Sequence, residues 1–331
     1  MAKNSATKKS KNKKSDNKKL NIVFEMEPLA RVNPNTSSSL VIMKEAQRRG
    51  HTIYQYAPDE ITLTLNGVFA RARKVSINEG GKKFYSLAKD EIINLSAADV
   101  IMMRQDPPFN MEYITSTYLL EAIDKNAFVV NHPVSVRNAP EKLFPFLFRE
   151  FMPNTVITED FGAVRALAEA EEKIVIKPLY MFGGNDVFSF EKNQIPELKK
   201  MFNKLVRKYR APVVAQKFIP EVVKGDKRVL FIDGEVVGVF LRVPADGSIR
   251  SNIRAGGSLK KAHLNANDRK ICDALSPVLK KNGFMICGID IVDKYLTEIN
   301  VTSPAGFMEL IKLYKKDVSK ILWDKIEQKL Q

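Results

Sequence analysis

The chain has 331 residues, 44% of them apolar, and a formal net charge of +15, which is enough for two or three domains around a substantial core. No apolar run is long enough to span a bilayer, and no zinc finger, aromatic RNA-binding signature or basic zipper accompanies the positive charge. The composition therefore speaks against a membrane protein and against specific nucleic-acid binding, and suits an anionic small-molecule ligand.

Residues 1–20 hold eight lysines, one acid (Asp16) and almost nothing apolar before Leu20, so they read as a disordered tail carrying seven of the fifteen charges. The tail has neither the apolar stretch of a secretory signal nor an Arg-rich amphipathic pattern. Cys272 and Cys287 form no CxxC, and His51, His132 and His263 stand far from them and from each other. A structural zinc or disulfide framework is thus not expected, and the reading is a cytoplasmic protein with buried thiols.

From Asn21 strands and helices alternate. Asn21–Met26 reads as a strand, Thr36/Ser37 cap a helix through Arg49 that stops at Gly50, and His51–Tyr56 reads as the next strand. Asn66-Gly67 between Ile61–Leu65 and Val68–Val75 is a hairpin signal. Strand Asp99–Arg104, helix Asn110–Lys125 and strand Ala127–Val130 complete residues 21–137, an open α/β domain without GxGxxG after its first strand.

Residues 138–216 contain helix Glu141–Arg149, strand Lys173–Pro178, a glycine turn, strand Asp186–Phe190, helix Gln194–Arg210 and strand Pro212–Lys217. Residues 217–331 contain strands Lys227–Ile232 and Glu235–Val243, helix Ala266–Asn282, a hairpin after Gly288 and a closing amphipathic helix near Val318–Leu330. These later blocks suggest two α+β lobes with a nucleotide cleft between them. The Gly- and Arg-containing stretch 244–260 is a candidate lid over that cleft.

The stretch from Gly288 to Pro304 is the most informative in the chain. Asp290, Glu298 and Asn300 interrupt two runs that otherwise read as buried strands. Glu298 and Asn300 lie two apart and share one strand face, and carboxylates on a buried face need a counter-charge, which Mg²⁺ with phosphates supplies. A two-residue turn at Asp293-Lys294 would pair Asp290 with Thr297, whereas a three-residue loop or a bulge would bring Asp290 opposite Glu298. The three-residue loop Asp293–Tyr295 is predicted. Lys177 ends an apolar strand just before Gly183 and Gly184, which makes a phosphate cradle unlike the P-loop, since GxxxxGK[ST] is absent. Asp160-Phe161-Gly162 resembles a kinase motif, but without a His-Arg-Asp loop it reads as the start of a helix through Ala170.

The ordered set Glu45–His51, Met103–Phe109, Glu141–Phe144, Ile176–Leu179, Gly225–Leu230, Ala255–Gly257 and Thr297–Pro304 resembles the bacterial glutathione synthetases of the ATP-grasp ligase superfamily, from about Asn21 to the C-terminus. The resemblance implies an α/β and α+β chain: an open α/β N-terminal domain followed by a two-lobed ATP-grasp fold. It implies ATP, two Mg²⁺ ions (or Mn²⁺ in their place), γ-glutamylcysteine and glycine as ligands, and a homotetramer.

On the matching positions the resemblance places Lys142 and Lys177 on the ATP phosphates, with Gly183 and Gly184 beside them. Gln216, Lys217, Phe218 and Ile219 would meet the adenine, and Glu221 or Asp226 the ribose. Asp290, Glu298 and Asn300 would hold the metal ions, and Arg228 and Arg242 would steady the phosphoryl group. Arg104, Asp106, Asn252, Gly256, Gly257 and Ser303 would frame the substrates. Two stretches depart from the family: Tyr180-Met181-Phe182, which stiffens the phosphate cover, and Ala305-Gly306-Phe307-Met308, which replaces a polar run containing an arginine. The acceptor therefore stays open between glycine and that of a related carboxylate–amine ligase, and a non-catalytic nucleotide-binding protein is the alternative from another class.

Overall fold

The computed structural model describes residues 18–78, 83–123, 126–245 and 257–331. Three sheets follow one another along the chain. The first is seven-stranded: β1 (Asn21–Glu25), β2 (Thr52–Tyr56), β3 (Ile61–Thr64), β4 (Gly67–Ile77), β5 (Tyr85–Asn94), β6 (Val100–Met103) and β7 (Phe128–Val130) lie in the order β3-β4-β2-β1-β6-β7, with β5 on β4. β1 pairs in parallel with β2 on one side and β6 on the other. The chain changes direction across the sheet between β1 and β6, and a crevice opens beyond the carboxyl ends of parallel strands at such a point.

Helix α1 (Ser38–Arg48) makes the first crossover. Ser37 caps it through its side chain, which accepts the Leu40 N–H, and Leu40, Ile42, Met43 and Ala46 bury its inner face. Gly50 follows at φ 83°, a conformation that glycine adopts without strain. Helix α2 (Met111–Glu121), capped by Asn110, and the short α3 (Pro133–Arg137) complete this part.

The second sheet is antiparallel, in the order β10-β9-β11-β8, built from β8 (Thr155–Thr158), β9 (Lys173–Pro178), β10 (Phe188–Glu191) and β11 (Val213–Lys217). Helices α4 (Phe161–Ala170, capped by Asp160) and α5 (Ile195–Tyr209) cover one face: Val164, Leu167, Leu198, Phe202 and Leu205 pack on Ile174, Ile176, Val213 and Ala215. Strand alternation therefore turns Val175 and Lys177 to the opposite face.

The third sheet, also antiparallel, has the order β14-β13-β12-β15-β16, with β12 (Asp226–Ile232), β13 (Glu235–Val243), β14 (Ser258–Lys261), β15 (Ile286–Val292) and β16 (Tyr295–Asn300). Helix α6 (Ala266–Lys281) packs Ile271, Leu275 and Leu279 on one face, in one core with Phe231, Ile289 and Ile291. Helices α7 (Phe307–Tyr314) and α8 (Ser319–Lys329) share the other core with Leu230, Ile232 and Phe240. Trp323 of α8 is fully buried and donates its indole N–H to the Ile42 carbonyl of α1, so the C-terminal helix ties the first and third sheets together. Cys272 and Cys287 are free and buried, as expected.

Four local expectations need correction. The hairpin after β15 turns on two residues, because Val292 pairs with Tyr295; a bulge at Thr297 then brings Asp290 opposite Glu298. Leu65 and Asn66, rather than Asn66 and Gly67, form the β3–β4 turn, since Thr64 pairs with Gly67. The segment expected as helix Glu141–Arg149 is a 3₁₀ run over Phe144–Phe151, interrupted where Phe148 leaves helical geometry (φ −127°, ψ 42°). Strands β5, β8 and β14 were not foreseen. Of the expected lid, residues 246–256 lie outside the described residues, and Asn252 and Gly256 with them.

Candidate functional site

A cleft of about 910 Å³ lies where the three sheets meet. Its floor is the third sheet, where charged residues stand as cross-strand neighbours: Asp226 faces Arg242, Arg228 faces Asp290, and Asp290 faces Glu298. Arg228 holds Asp290 through two hydrogen bonds, and Arg242 reaches the same carboxylate at 2.9 Å while also binding both oxygens of Asp226. Burial alone would raise the Asp290 carboxyl, but the two guanidinium groups outweigh it and hold it at about 2. Gly288, one alternate residue back on β15, keeps this arrangement open: a Cβ there would stand 3.2 Å from Cδ and Nη1 of Arg228.

Glu298 lies between this floor and two lysines. Its Oε1 is 3.3 Å from Lys177 Nζ on β9 and 3.9 Å from Lys142 Nζ. Burial opposes its ionisation, yet Lys142 and Lys177 bring its proton affinity below the ordinary carboxylate value. Lys142 is buried, bonded to Glu141 and, at 2.6 Å, to the carbonyl of Met181. That carbonyl belongs to one of the stretches that depart from the family, so the bulky Tyr180-Met181-Phe182 segment supports the lysine with its backbone. Phe182, Gly183 and Gly184 continue along the wall, both glycines at positive φ (73° and 74°).

Gln216, Lys217, Phe218 and Ile219 line the cleft at the end of β11. The Lys217 and Phe218 N–H groups bond the Asn154 and Lys173 carbonyls, and the Ile219 carbonyl accepts the Val222 N–H. Of the two ribose candidates, Glu221 is not among the lining residues, and Asp226 has both carboxylate oxygens on Arg242. Gly257 is described but is not a lining residue either.

The first sheet supplies the far wall. Arg104, Asp106 and Ser303 all line the cleft. Arg104 is buried, and its guanidinium donates to two neutral oxygens, Ser39 Oγ and the Pro304 carbonyl, each at 3.1 Å. Burial lowers its proton affinity to about 10, against the pull of Asp106. Sequence reasoning missed Glu141, Arg31, Asn33 and, at the start of α1, Ser37–Ser39, which also line the cleft. The serines carried a signal, but it was read only as a helix cap.

Among the described residues no group of three or more His, Cys, Asp or Glu stands ready for an ion. Glu298 and the side-chain oxygen of Asn300 remain as hard oxygen donors, because Asn300 gives only its N–H to Asp290, at 3.4 Å. One or two protein oxygens, completed by phosphates and water, are what Mg²⁺ takes at nucleotide sites, so the residues fit it.

Both parts of the chain match known protein families. The prokaryotic glutathione synthetase N-terminal domain matches residues 20–137, and the prokaryotic glutathione synthetase ATP-grasp domain matches residues 141–315. The chain is 40% identical to the glutathione synthetase of Agrobacterium fabrum over 93% of its length and 97% of that protein. It is 37% identical to that of Shewanella oneidensis over 94% of its length and 99% of that protein. Among solved structures, the D-cycloserine synthetase DcsG aligns with a TM-score of 0.67 at 13% identity, covering 94% of this chain and all of that one. The ATP-grasp ligase PsnB aligns at 0.62 and 19% identity over 94% of this chain and 99% of that one. At such low identity these two bear on the fold alone, which is that of the ATP-grasp ligases.

Proposed function

This chain belongs to the prokaryotic glutathione synthetase family, ATP-dependent ligases that form glutathione, and from that premise we propose how its residues divide the work. The terminal phosphoryl group of ATP passes to the glycine-accepting carboxylate of γ-glutamylcysteine. The amine of glycine then attacks the acyl phosphate, and phosphate leaves as the amide forms. No enzyme nucleophile takes part, so catalysis consists of gathering anions and stabilising charge as it moves.

Lys142 and Lys177 neutralise ATP phosphates above Gly183 and Gly184, and the backbone of 216–219 receives the adenine. Glu298 and Asn300 hold divalent metal, with Asp290 joining them when its arginines release it; two Mg²⁺ ions, or Mn²⁺, are the proposed complement. A divalent ion held by these residues would supply positive charge against the phosphates. Arg228 and Arg242 would steady the phosphoryl group from the floor of the cleft. Arg104, Asp106 and Ser303 bind the dipeptide. Glu221 or Asp226 is the ribose candidate, and Asp226 also holds Arg242 in place. We further propose 21–137, 138–216 and 217–331 as the structural units, a homotetramer and a cytoplasmic setting.

The observation that carries this reading is the meeting of Lys142, Lys177 and Glu298 from separate parts of the chain within 4 Å of one carboxylate oxygen. The test is phosphate release by purified protein with ATP and Mg²⁺, with γ-glutamylcysteine and glycine supplied or withheld. Dependence on both supports the reading. Turnover with a different amine favours a related ligase, and no turnover in any mixture overturns the enzymatic assignment.

A further inference from the structure

Glu25 ends β1 with its side chain wholly buried behind the wall that carries Arg104. The ligation chemistry gives it no role. Its carbonyl accepts the Arg104 N–H at 2.8 Å, so both residues belong to the same strand-end junction. Ser116 of α2 donates to Oε1 of its carboxyl.

The second carboxyl oxygen, Oε2, is buried with no hydrogen-bond partner among the described residues. The hydroxyl of Tyr113, also on α2, is orphaned in the same way. The Tyr56 hydroxyl, from β2, acts on the Glu25 carboxyl from close by without reaching hydrogen-bond geometry. Tyr113 feels the charges of Glu25, Arg104 and Asp106 together, which makes it the link between the buried acid and the cleft.

Burial without a counter-ion favours the neutral acid. Buried polar groups are almost always paired, and a buried carboxylate needs a cation beside it. No lysine or arginine is among the groups acting on Glu25; its neighbours are the hydroxyls of Ser116 and Tyr56. A tyrosine hydroxyl can pair with Oε2 in either state, accepting from the acid or donating to the carboxylate, but only the ionised form adds an uncompensated charge to a closed pocket. Burial correspondingly pushes this carboxyl up to about 7, against the pull of Ser116 and Tyr56.

We propose that Glu25 is a positioning residue for Arg104: while it carries its proton it ties β1 to α2, and so keeps the Arg104 wall in the shape that receives the carboxylate-bearing dipeptide. This rests on the reading of Arg104 as a dipeptide-binding group. The groups facing Glu25 are Tyr56 from β2, Tyr113 and Ser116 from α2, and, through Tyr113, Arg104 and Asp106 from the segment after β6. Loss of the Glu25 proton leaves a carboxylate without a counter-ion, the hydroxyls reorganise around it, and Arg104 loses its fixed backing.

The test measures KM for γ-glutamylcysteine and kcat, at saturating ATP and glycine, between about pH 6 and about pH 8. In the unaltered protein KM should rise about threefold or more across this window while kcat follows a separate course. Glu25→Gln, neutral at every pH, should hold the lower KM throughout. Ser116→Ala removes a hydrogen bond that favours the ionised form, so it should move the KM transition to higher pH; this second variant serves if Glu25→Gln fails to fold. The same KM transition in Glu25→Gln as in the parent, or an unmoved one in Ser116→Ala, overturns the proposal. Arg104→Lys separates the two readings. If it leaves KM unchanged, the dipeptide role of Arg104 is wrong; if it raises KM while Glu25→Gln keeps the parent's profile, only the positioning role of Glu25 is.

Discussion

Arg228 and Asp290, 62 residues apart in the chain, face each other across β12 and β15 and share two hydrogen bonds. A carboxylate expected to bind metal is thus held by arginines expected to act on phosphate, so each of these charges has a partner within the protein itself. Burial would otherwise make either charge costly.

The pairing sets an acid response. The Asp290 carboxyl sits at about 2, below its ordinary 3.8, so it stabilises the fold above about pH 4 and that contribution disappears as pH falls through about 2. Asp290→Asn should flatten the acid limb of a urea-midpoint series. Asp290→Ala, which leaves two arginines facing each other, should cost about 3–5 kcal/mol.

Gly288 offers a second test. Its missing side chain leaves room for Arg228, so Gly288→Ala should displace the guanidinium and lower kcat about tenfold to a hundredfold. Thermal melting should show a folded protein that has lost about 1–3 kcal/mol. Unchanged kcat would mean that the position of Arg228 does not matter to turnover.

The two phosphate lysines should differ. Lys177→Ala should raise KM for ATP about tenfold with little effect on the melting temperature. Lys142→Ala should raise it too, and should also destabilise the protein increasingly as pH rises above the ordinary carboxylate range. Burial already raises the Glu141 carboxyl, and without Lys142 it would ionise beside Glu298 with less positive charge to offset it.

Glu298→Gln should raise the Mg²⁺ concentration for half-maximal phosphate release by about tenfold or more. A chelator should abolish release by the parent protein, and added Mg²⁺ should restore it. Metal titration followed by calorimetry in the presence of a non-hydrolysable ATP analogue reads the same loss without turnover.

Much of the site was legible along the chain. The two-residue spacing of Glu298 and Asn300, the lysine before Gly183-Gly184 and the order of motifs pointed to residues that the structure gathers in one cleft, because strand alternation and glycine turns are local properties. The hairpin register was harder. An extra residue at Thr297 does what a longer loop was expected to do, and where a bulge falls depends on strands that pair from elsewhere. The 3₁₀ segment was misread because apolar spacing over Phe144–Phe151 imitates a helix, while Pro145 and the break at Phe148 keep it from forming one. Glu25 was passed over inside an apparently apolar strand; only the convergence of β2 and α2 on its carboxyl singles it out.

The residues in order determined the alternation of elements, the caps, the turn glycines and the kinds of side chain available to hold phosphate and metal, since these depend on neighbours a few positions away. The tertiary structure alone decided that Asp290 belongs to Arg228 and Arg242, that Met181 supports Lys142, and that Glu25 backs Arg104. Charge partners in a buried site are chosen by which strands lie side by side, and packing between distant segments sets that.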